Sequence, residues 1–260
     1  MSGQGVLLFL ACAFGAEVIG TMAGFGAATI LTPVATLFMD VKTAIAVVAC
    51  FHLFGNASRL VFFGRHVRWK IWGQFGLTGV LCSILGAGVT ASLPSSAVKL
   101  CLGLFLLLYV GFSSVTSGRA QFPSTPATLL GGGIVSGFVA GLIGTGGAIR
   151  SACLLAFGLA KDAYIGTSAA IALVVDATRL PVYLAERFIP MRMAPVVASL
   201  VAVAFAGAWL GQRLVRRVSP VAFHRFVMVM LTLMGIKLLV DGWPHHLLEP
   251  ASSQHRGYVL

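Results

Sequence analysis

Residues 143–148 read Ile-Gly-Thr-Gly-Gly-Ala, and residues 23–28 read Ala-Gly-Phe-Gly-Ala-Ala. Both stretches interrupt apolar runs, and a constant offset of 120 residues relates the two halves without a gap from Gly24 to Phe63. Nine positions in this window are identical in the two halves: Gly24/Gly144, Gly26/Gly146, Ala28/Ala148, Ile45/Ile165, Ala49/Ala169, Leu53/Leu173, Ala57/Ala177, Arg59/Arg179 and Leu60/Leu180. Duplicated halves with glycine-interrupted apolar segments at corresponding places are typical of secondary transporters, and the interruptions indicate the substrate site.

The composition of the chain places it in a membrane. The 260 residues are 58% hydrophobic and 10% charged, with a mean hydropathy of +0.96, whereas soluble domains carry about 25% charged residues. The apolar runs lack the alternation of barrel strands, and a helix satisfies its own backbone hydrogen bonds in lipid. The sequence therefore predicts an all-α polytopic membrane protein.

The apolar runs divide the chain into about eight transmembrane segments, arranged as two homologous four-segment repeats. We expect the first repeat at residues 1–118, the second at 127–241 and a short C-terminal tail at 242–260. Segments one and five, residues 5–39 and 127–160, are too long for one simple span of about 20 residues. Each is predicted to be broken at its glycine cluster into two half-helices with unwound backbone between them.

The relation of the two repeats stays open at this point. Eight simple crossings make the repeats parallel, and this is what hydropathy alone favours. If segments one and five each form a hairpin, the repeats are inverted, and the basic loop with Arg65, Arg68 and Lys70 then shares a side of the membrane with residues 213–225. Because Lys and Arg concentrate in cytoplasmic loops, this clearer charge bias mildly favours inversion.

Charge and cysteine usage limit the partners of the protein. The net charge of +11 is explained by basic cytoplasmic loops and anionic lipid heads; nucleic acid is not expected, because no water-facing domain could present a basic face to it. The five cysteines lie in apolar runs without metal-ligand spacing, so no metal and no cofactor is expected. The predicted location is the bacterial inner (plasma) membrane, as a multi-pass protein, and a homo-oligomer stays open.

The glycine clusters are the first candidate substrate-binding positions. Glycine permits a positive φ, and a half-helix that begins at each break presents free N–H groups and a partial positive charge, which favour an anion. Close packing of helices through small residues is the alternative, and the two can coexist. The candidates in the two clusters are Gly24 and Gly26, and Gly144, Thr145, Gly146 and Gly147.

Arg150 lies just after the second glycine cluster, inside an apolar run, where its counterpart in the first half is Ile30. An arginine at the centre of a membrane costs about 2.5–3.5 kcal/mol on insertion scales and is a functional candidate by default. Beside a half-helix N-terminus it is suited to bind a carboxylate, sulfite or sulfonate. The alternative is a structural ion pair with Glu17 or Asp176.

Two repeated polar pairs follow in the next segments. Asn56 and Arg59 are three residues apart and share a helix face, as do their counterparts Asp176 and Arg179. His52 extends the first pair into a polar stripe. We predict that both pairs take part in substrate binding; the alternative is that the arginines reach from a helix end towards the membrane surface.

Three further side chains, and a second role for Asp176, complete the predicted site. Glu17 and Asp176 are the acids that lie within apolar runs, so they are the candidates for carrying a coupled proton, with a structural salt bridge as the alternative for each. Thr167 and Ser168 open the sixth segment, and their hydroxyls are candidates for substrate contact or for bonds to the helix backbone.

These motifs resemble the TauE/SafE sulfite exporter family, also called the toluenesulfonate uptake permease family. The resemblance covers nearly the whole chain and is carried by residues 141–150, by Thr167-Ser168-Ala169, and by Asp176 with Arg179 and Tyr183. The first half departs from the usual triple glycine but keeps a proline after its first break, Pro33. The resemblance implies secondary transport of a small anion such as sulfite, an organosulfonate or a related carboxylate, with proton coupling as one option.

Two other classes of function are weighed against transport. An intramembrane enzyme would need a nucleophile with its base, or a metal cluster, and no HExxH, GxSxG or paired aspartate motif occurs. The expectation is therefore that the protein is not an enzyme. A membrane scaffold or assembly factor that transports nothing is the second alternative, and the direction of transport is left open.

Overall fold

The computed structural model is all-helical and describes residues 2–23, 26–115, 122–214 and 220–243. Gly24, one of the predicted substrate-binding positions, lies outside these residues. Within the described ranges the helices are α1 (Gly3–Ala23), α2 (Ala28–Ala35), α3 (Val41–Phe63), α4 (Trp69–Ser92), α5 (Ser95–Val115), α6 (Pro126–Ile143), α7 (Gly147–Leu155), α8 (Lys161–Ala185), α9 (Ala194–Leu214) and α10 (Pro220–Gly242).

Seven helices of the described part are long and apolar enough to cross a membrane, namely α1, α3, α4, α5, α6, α8 and α9. The prediction of an all-helical, multi-pass membrane protein is confirmed, with seven candidate spans among the described residues where the sequence predicts about eight segments. α2 and α7 have 8 and 9 residues, which at 1.5 Å per residue is too short to cross a bilayer.

α3 and α8 lie side by side at the centre of the molecule and run in opposite directions. At one end, the carbonyl of Phe63 lies so close to Gly166 that a side chain would not fit there. At the other end, the Lys42 ammonium lies 5.2 Å from the centroid of the Phe188 ring, just beyond the end of α8. The C-terminus of α3 therefore meets the N-terminus of α8.

α4 and α6 pack closely and run in the same direction, through facing glycines. Gly137 lies against the backbone of Gly79, and Gly141, one turn later, lies against the carbonyl of Ser83. Small residues at these positions let the two backbones approach, as is common between membrane helices.

α1 and α9 form a matching parallel pair. Gly207 lies against the side chain of Glu17, and Gly211, four residues later, lies against the carbonyl of Val18. The contact again depends on glycines, here contributed by α9.

α5 and α10 pack against each other in opposite directions. Gly103 lies against the carbonyl of Gly235, whereas Ser96, earlier in α5, contacts Gly242 at the end of α10.

α1 and α3 run in the same direction, because Glu17 lies beside Gly55 and Thr21 accepts a hydrogen bond from Arg59 one turn later. Two consecutive parallel helices require the chain to return between them. α2 and the turn at residues 36–40 make that return, so α1 and α2 form a hairpin in the interior of the bundle.

Candidate functional site

The junction between α6 and α7, residues 144–146, is held in a conformation that requires glycine. Gly144 has φ +81°, in the left-handed region, and its N–H donates to the carbonyl of Ala140 at 3.0 Å, which caps α6. Gly146 lies against Ser136, whose hydroxyl donates to the Gly146 carbonyl at 2.8 Å. α7 begins at Gly147 and has no side-chain N-cap, so the N–H groups of its first turn are available to an acceptor.

The described part of the junction between α1 and α2, residues 26–27, has the same character. Gly26 has φ +89°, and its N–H donates to the carbonyl of Gly20 at 3.3 Å. Ala27, the residue before α2, supplies no side-chain cap to the N–H groups of the helix.

The two junctions lie next to each other inside the protein. The Thr29 hydroxyl, in the first turn of α2, is 2.8 Å from the Thr145 hydroxyl at the other junction. Gly144 is flanked by the side chains of Thr32 and Ile45, from the first half of the chain. All of these side chains are buried. The N-termini of two short helices therefore face one buried region.

Arg150 lies in the first turn of α7 and is 4% exposed. Its Nε donates to the Ser168 hydroxyl at 3.0 Å, which brings two predicted site residues together. The ion pairs found among the described residues do not include Arg150. The structural pair with Glu17 or Asp176, left open by the sequence, is therefore not formed in the structure.

Arg59 uses three donor nitrogens, two of which connect α3 to α1. Its Nε donates to the Thr21 hydroxyl at 3.1 Å, its Nη1 donates to the Asn56 side-chain oxygen at 2.8 Å, and its Nη2 forms an ion pair with Glu17. Arg59 is 4% exposed, so it does not reach the membrane surface. The predicted proton carrier Glu17 is thus one half of a buried salt bridge.

Arg179, the counterpart of Arg59, is 1% exposed and connects α8 to α6. Its Nε and Nη2 donate to one carboxylate oxygen of Asp176 at 3.0 and 2.7 Å. Its Nη1 donates to the carbonyl of Ala140, and its Nη2 also lies 3.4 Å from the carbonyl of Gly144. The guanidinium therefore lies at the C-terminal end of α6, where it supplies further donors to the Ala140 and Gly144 carbonyls.

His52 is a buried residue at this site that the sequence places only in a polar stripe. Its Nδ1 lies 2.8 Å from the second carboxylate oxygen of Asp176, which also accepts from Asn56 Nδ2 at 3.4 Å. Its Nε2 has no hydrogen-bond partner among the described residues. A Cβ built on Gly26 would lie 2.3 Å from this nitrogen, so Nε2 points directly at the first junction.

A cavity of about 620 Å³ opens where the end of α3 meets the start of α8. Its charged lining consists of Arg65, Arg68 and Lys161 against one acid, Asp162. The N–H of Arg68 donates to the Thr167 hydroxyl at 2.9 Å, and the next residue is the Ser168 that holds Arg150. We call the opening of this cavity, lined by Arg65, Arg68 and Lys161, the basic mouth. The basic mouth contacts Thr167 and Arg150 contacts Ser168, so both lie against the N-terminal part of α8.

No group of three His, Cys, Asp or Glu side chains that could hold a metal ion occurs in the described ranges. The polar interior instead consists of arginines, hydroxyls, amides and two carboxylates, which suits an anion better than a cation.

The sequence matches the model of one protein family over most of its length. The family model described as sulfite exporter TauE/SafE matches residues 8–238. The chain belongs to the TauE/SafE sulfite exporter family. Members of this family are membrane transporters rather than enzymes, so the intramembrane enzyme considered from the sequence is set aside. No curated protein and no solved structure matches the chain.

Proposed function

We propose that this TauE/SafE protein is a secondary transporter of small sulfur-containing anions and that its substrate binds between the N-termini of α2 and α7, next to Arg150. The observation that carries the proposal is the Arg150 guanidinium, which is 4% exposed and makes its hydrogen bond to a neutral hydroxyl. Isolated buried charges are costly and are normally paired. An anionic substrate supplies that pair.

The surroundings of Arg150 favour an oxyanion. A guanidinium donates two parallel hydrogen bonds to sulfite or sulfonate oxygens. The first turn of α7 adds uncapped N–H groups and the positive end of a helix dipole. The hydroxyls of Thr29 and Thr145 lie between the two helix starts and can turn to donate to a bound oxygen.

We assign the predicted residues three different roles. Gly26, Gly144, Gly146 and Gly147 open the backbone at the two junctions for the substrate, and Gly24, which lies outside the described residues, keeps the substrate-binding role that the sequence predicts. Thr145, Arg150 and Ser168 surround the substrate. The remaining predicted residues act by positioning, because their polar groups are already engaged within the protein: Asn56, Arg59, Thr167, Asp176 and Arg179.

We further infer that the two predicted repeats, residues 1–118 and 127–241, are inverted. The offset of 120 residues relates α1–α5 to α6–α10 in order. The counterparts α3 and α8 run antiparallel, as do α5 and α10, and the parallel pair α4 with α6 has its counterpart in α9 with α1. A twofold axis in the plane of the membrane produces this pattern. The returns made through the short helices α2 and α7, which do not span the bilayer themselves, let each repeat begin and end with helices of the same direction, as inversion requires.

The basic mouth gives anions a route from one side of the membrane. Arg65, Arg68 and Lys161 outnumber Asp162 in its lining, and clefts lined by one sign of charge raise the local concentration of counter-ions. Inverted repeats that rock around a central site would open the site to each side in turn.

The proposal is tested by measuring anion binding to the purified protein. Sulfite, sulfate, thiosulfate, taurine, sulfoacetate, acetate and chloride are compared by thermal shift and calorimetry on wild type and Arg150→Met. We expect a selective shift for a sulfur anion that is lost in the variant. Arg213→Met, which removes an exposed arginine stacked on Trp209 at 3.6 Å, is the matched control and should bind as wild type. An Arg150→Met protein with wild-type affinity would contradict the site, and no binding of any anion would favour a scaffold.

A further inference from the structure

We propose that His52 is a protonatable ligand of the substrate anion at the first junction, so that binding of the anion is linked to uptake of one proton by His52. The inference rests on the proposed anion site between α2 and α7, and it names the proton carrier of that same site.

The position of the His52 ring is the first support. The ring is 3% exposed, its Nε2 has no partner among the described residues, and this nitrogen fills the space that a side chain on Gly26 would take. An unpaired buried nitrogen costs free energy unless something binds it. The uncapped start of α2 lies at the same place, and its N–H groups favour an anion.

The hydrogen bond on the other side of the ring fixes its tautomer. Asp176 already accepts two bonds from Arg179, so its carboxylate is ionised and acts only as an acceptor. The 2.8 Å contact between Nδ1 of His52 and this carboxylate needs a proton, which Nδ1 supplies. Asn56 Nδ2, 3.1 Å from Nδ1, then donates to Asp176 rather than to the ring. In the neutral ring Nε2 then presents a lone pair to the first junction. In the charged ring it presents an N–H, which an anion can accept.

The charged groups around the ring link these two states to the substrate. Burial of the ring opposes its charged form, Asp176 on α8 favours that form, and Arg59 on α3 and Arg150 on α7 oppose it. Arg179 on α8 neutralises part of the Asp176 charge, and Glu17 on α1 neutralises Arg59.

A bound anion beside Arg150 cancels the opposing charge that forms no ion pair among the described residues, and it accepts the new N–H of His52. By linkage, the anion then promotes protonation, and protonation promotes binding of the anion to the same extent.

The two acids that the sequence predicts as proton carriers are less suited to this role. Glu17 and Asp176 are each held in a buried ion pair with an arginine, Arg59 and Arg179. Protonating either acid would leave a buried guanidinium without its partner, which is strongly unfavourable. His52 can gain a proton while both pairs stay intact.

The test measures proton uptake on binding of an anion whose own charge is fixed, methanesulfonate or sulfate, between about pH 5.5 and pH 8, the range in which histidine titrates. For wild type we expect affinity to fall with rising pH, by up to about tenfold per pH unit. Calorimetry in two buffers of different ionisation enthalpy should count about one proton taken up per anion where His52 is neutral before binding.

The variant His52→Gln keeps an amide that can donate but does not titrate. We expect it to bind the anion with an affinity independent of pH and with no proton uptake. His245→Gln, the same change in a histidine that follows α10 in the chain, should keep the wild-type slope.

Two results would overturn the inference, and neither affects the anion site itself. One is a wild-type protein that binds the anion with no proton uptake, which is decided without any variant and so does not depend on whether His52→Gln folds. The other is proton uptake that persists in His52→Gln and disappears in Glu17→Gln. Failure of wild type to bind any anion would overturn the proposed function instead, and with it this inference.

Discussion

The two junctions of the molecule share a backbone and differ in chemistry. At each, a glycine with positive φ, Gly26 at +89° and Gly144 at +81°, precedes a short helix without a side-chain cap. At the second junction the buried cation, Arg150, comes from the short helix itself. At the first junction that position is Ile30, and the group that can become cationic is His52 from α3.

We interpret this difference as one shared backbone arrangement that carries different side-chain chemistry in the two halves of the chain. An arginine keeps its charge at every physiological pH, whereas a histidine gains or loses one. The counterpart of His52 in the second half is Ala172, so the titratable group exists on one side only. We interpret Arg150 as the anion ligand with a fixed positive charge and His52 as the anion ligand whose charge changes with protonation.

The largest expected effect is a difference in the free energy of unfolding between variants of two buried arginines. Arg59→Met should lower the free energy of unfolding by about 3–5 kcal/mol, because it leaves Glu17 buried without its counter-charge. Arg150→Met should not destabilise the protein in the absence of substrate, because it removes a buried charge that has no carboxylate partner. Thermal and denaturant unfolding in detergent compare the two. Equal destabilisation would mean that Arg150 is also a structural residue.

The second effect concerns affinity at the second junction. Loss of the Arg150 guanidinium should weaken anion binding by roughly a hundredfold, which corresponds to about 2.7 kcal/mol. Arg150→Lys should recover part of this loss, because it restores the charge without the two parallel donors. Calorimetric titration with the anion selected by the panel gives both values. Full recovery with lysine would exclude bidentate binding.

The third effect tests whether the first junction has room for a side chain. Gly26→Ala should be more destabilising than Gly158→Ala by about 1–3 kcal/mol, because its Cβ would collide with His52 as well as being strained. Gly158 also has a positive φ, +57°, but its Cβ would meet nothing, so it controls for backbone strain. The free energy of unfolding is measured for both variants. An equal loss of unfolding free energy in the two would contradict the contact between His52 and Gly26.

The smallest effect belongs to the basic mouth. Arg65→Gln combined with Lys161→Gln should raise KM for the anion about threefold at low salt and leave it unchanged at high salt, since exposed charges act by screened attraction. The effect is expected only for transport from the mouth side. Arg192→Gln, an exposed arginine at the far end of α8, is the control. A change in kcat without a change in KM would argue against steering.

Much of the fold could be predicted from the sequence, because the membrane leaves few choices. Long apolar runs predict spanning helices, and both the all-helical architecture and the family are confirmed. The burial of Arg59 and Arg179 could not be predicted in this way. Both residues lie towards a helix end, from which their long side chains could reach the membrane surface. Only the packed bundle shows Glu17 beside one and the end of α6 beside the other.

The role of His52 could not be predicted for a similar reason. Its partner Asp176 is 124 residues away in the chain. That its Nε2 has no partner among the described residues and faces Gly26 is visible only in the folded structure. The relative direction of the helices also stays open in the sequence, since hydropathy alone favours eight simple crossings whereas the charge bias mildly favours inversion. The antiparallel contact of α3 with α8 depends on side-chain pairs far apart in sequence.

The central claim is that an oxyanion binds between the two junctions, held by Arg150. The most direct test is an experimental structure with selenate, whose selenium can be located by anomalous scattering and whose shape matches sulfate. We expect a selenium peak within hydrogen-bonding reach of the Arg150 guanidinium, at the start of α7 and next to Thr145. A selenate site elsewhere in the bundle, with Arg150 in contact only with protein groups, would contradict it.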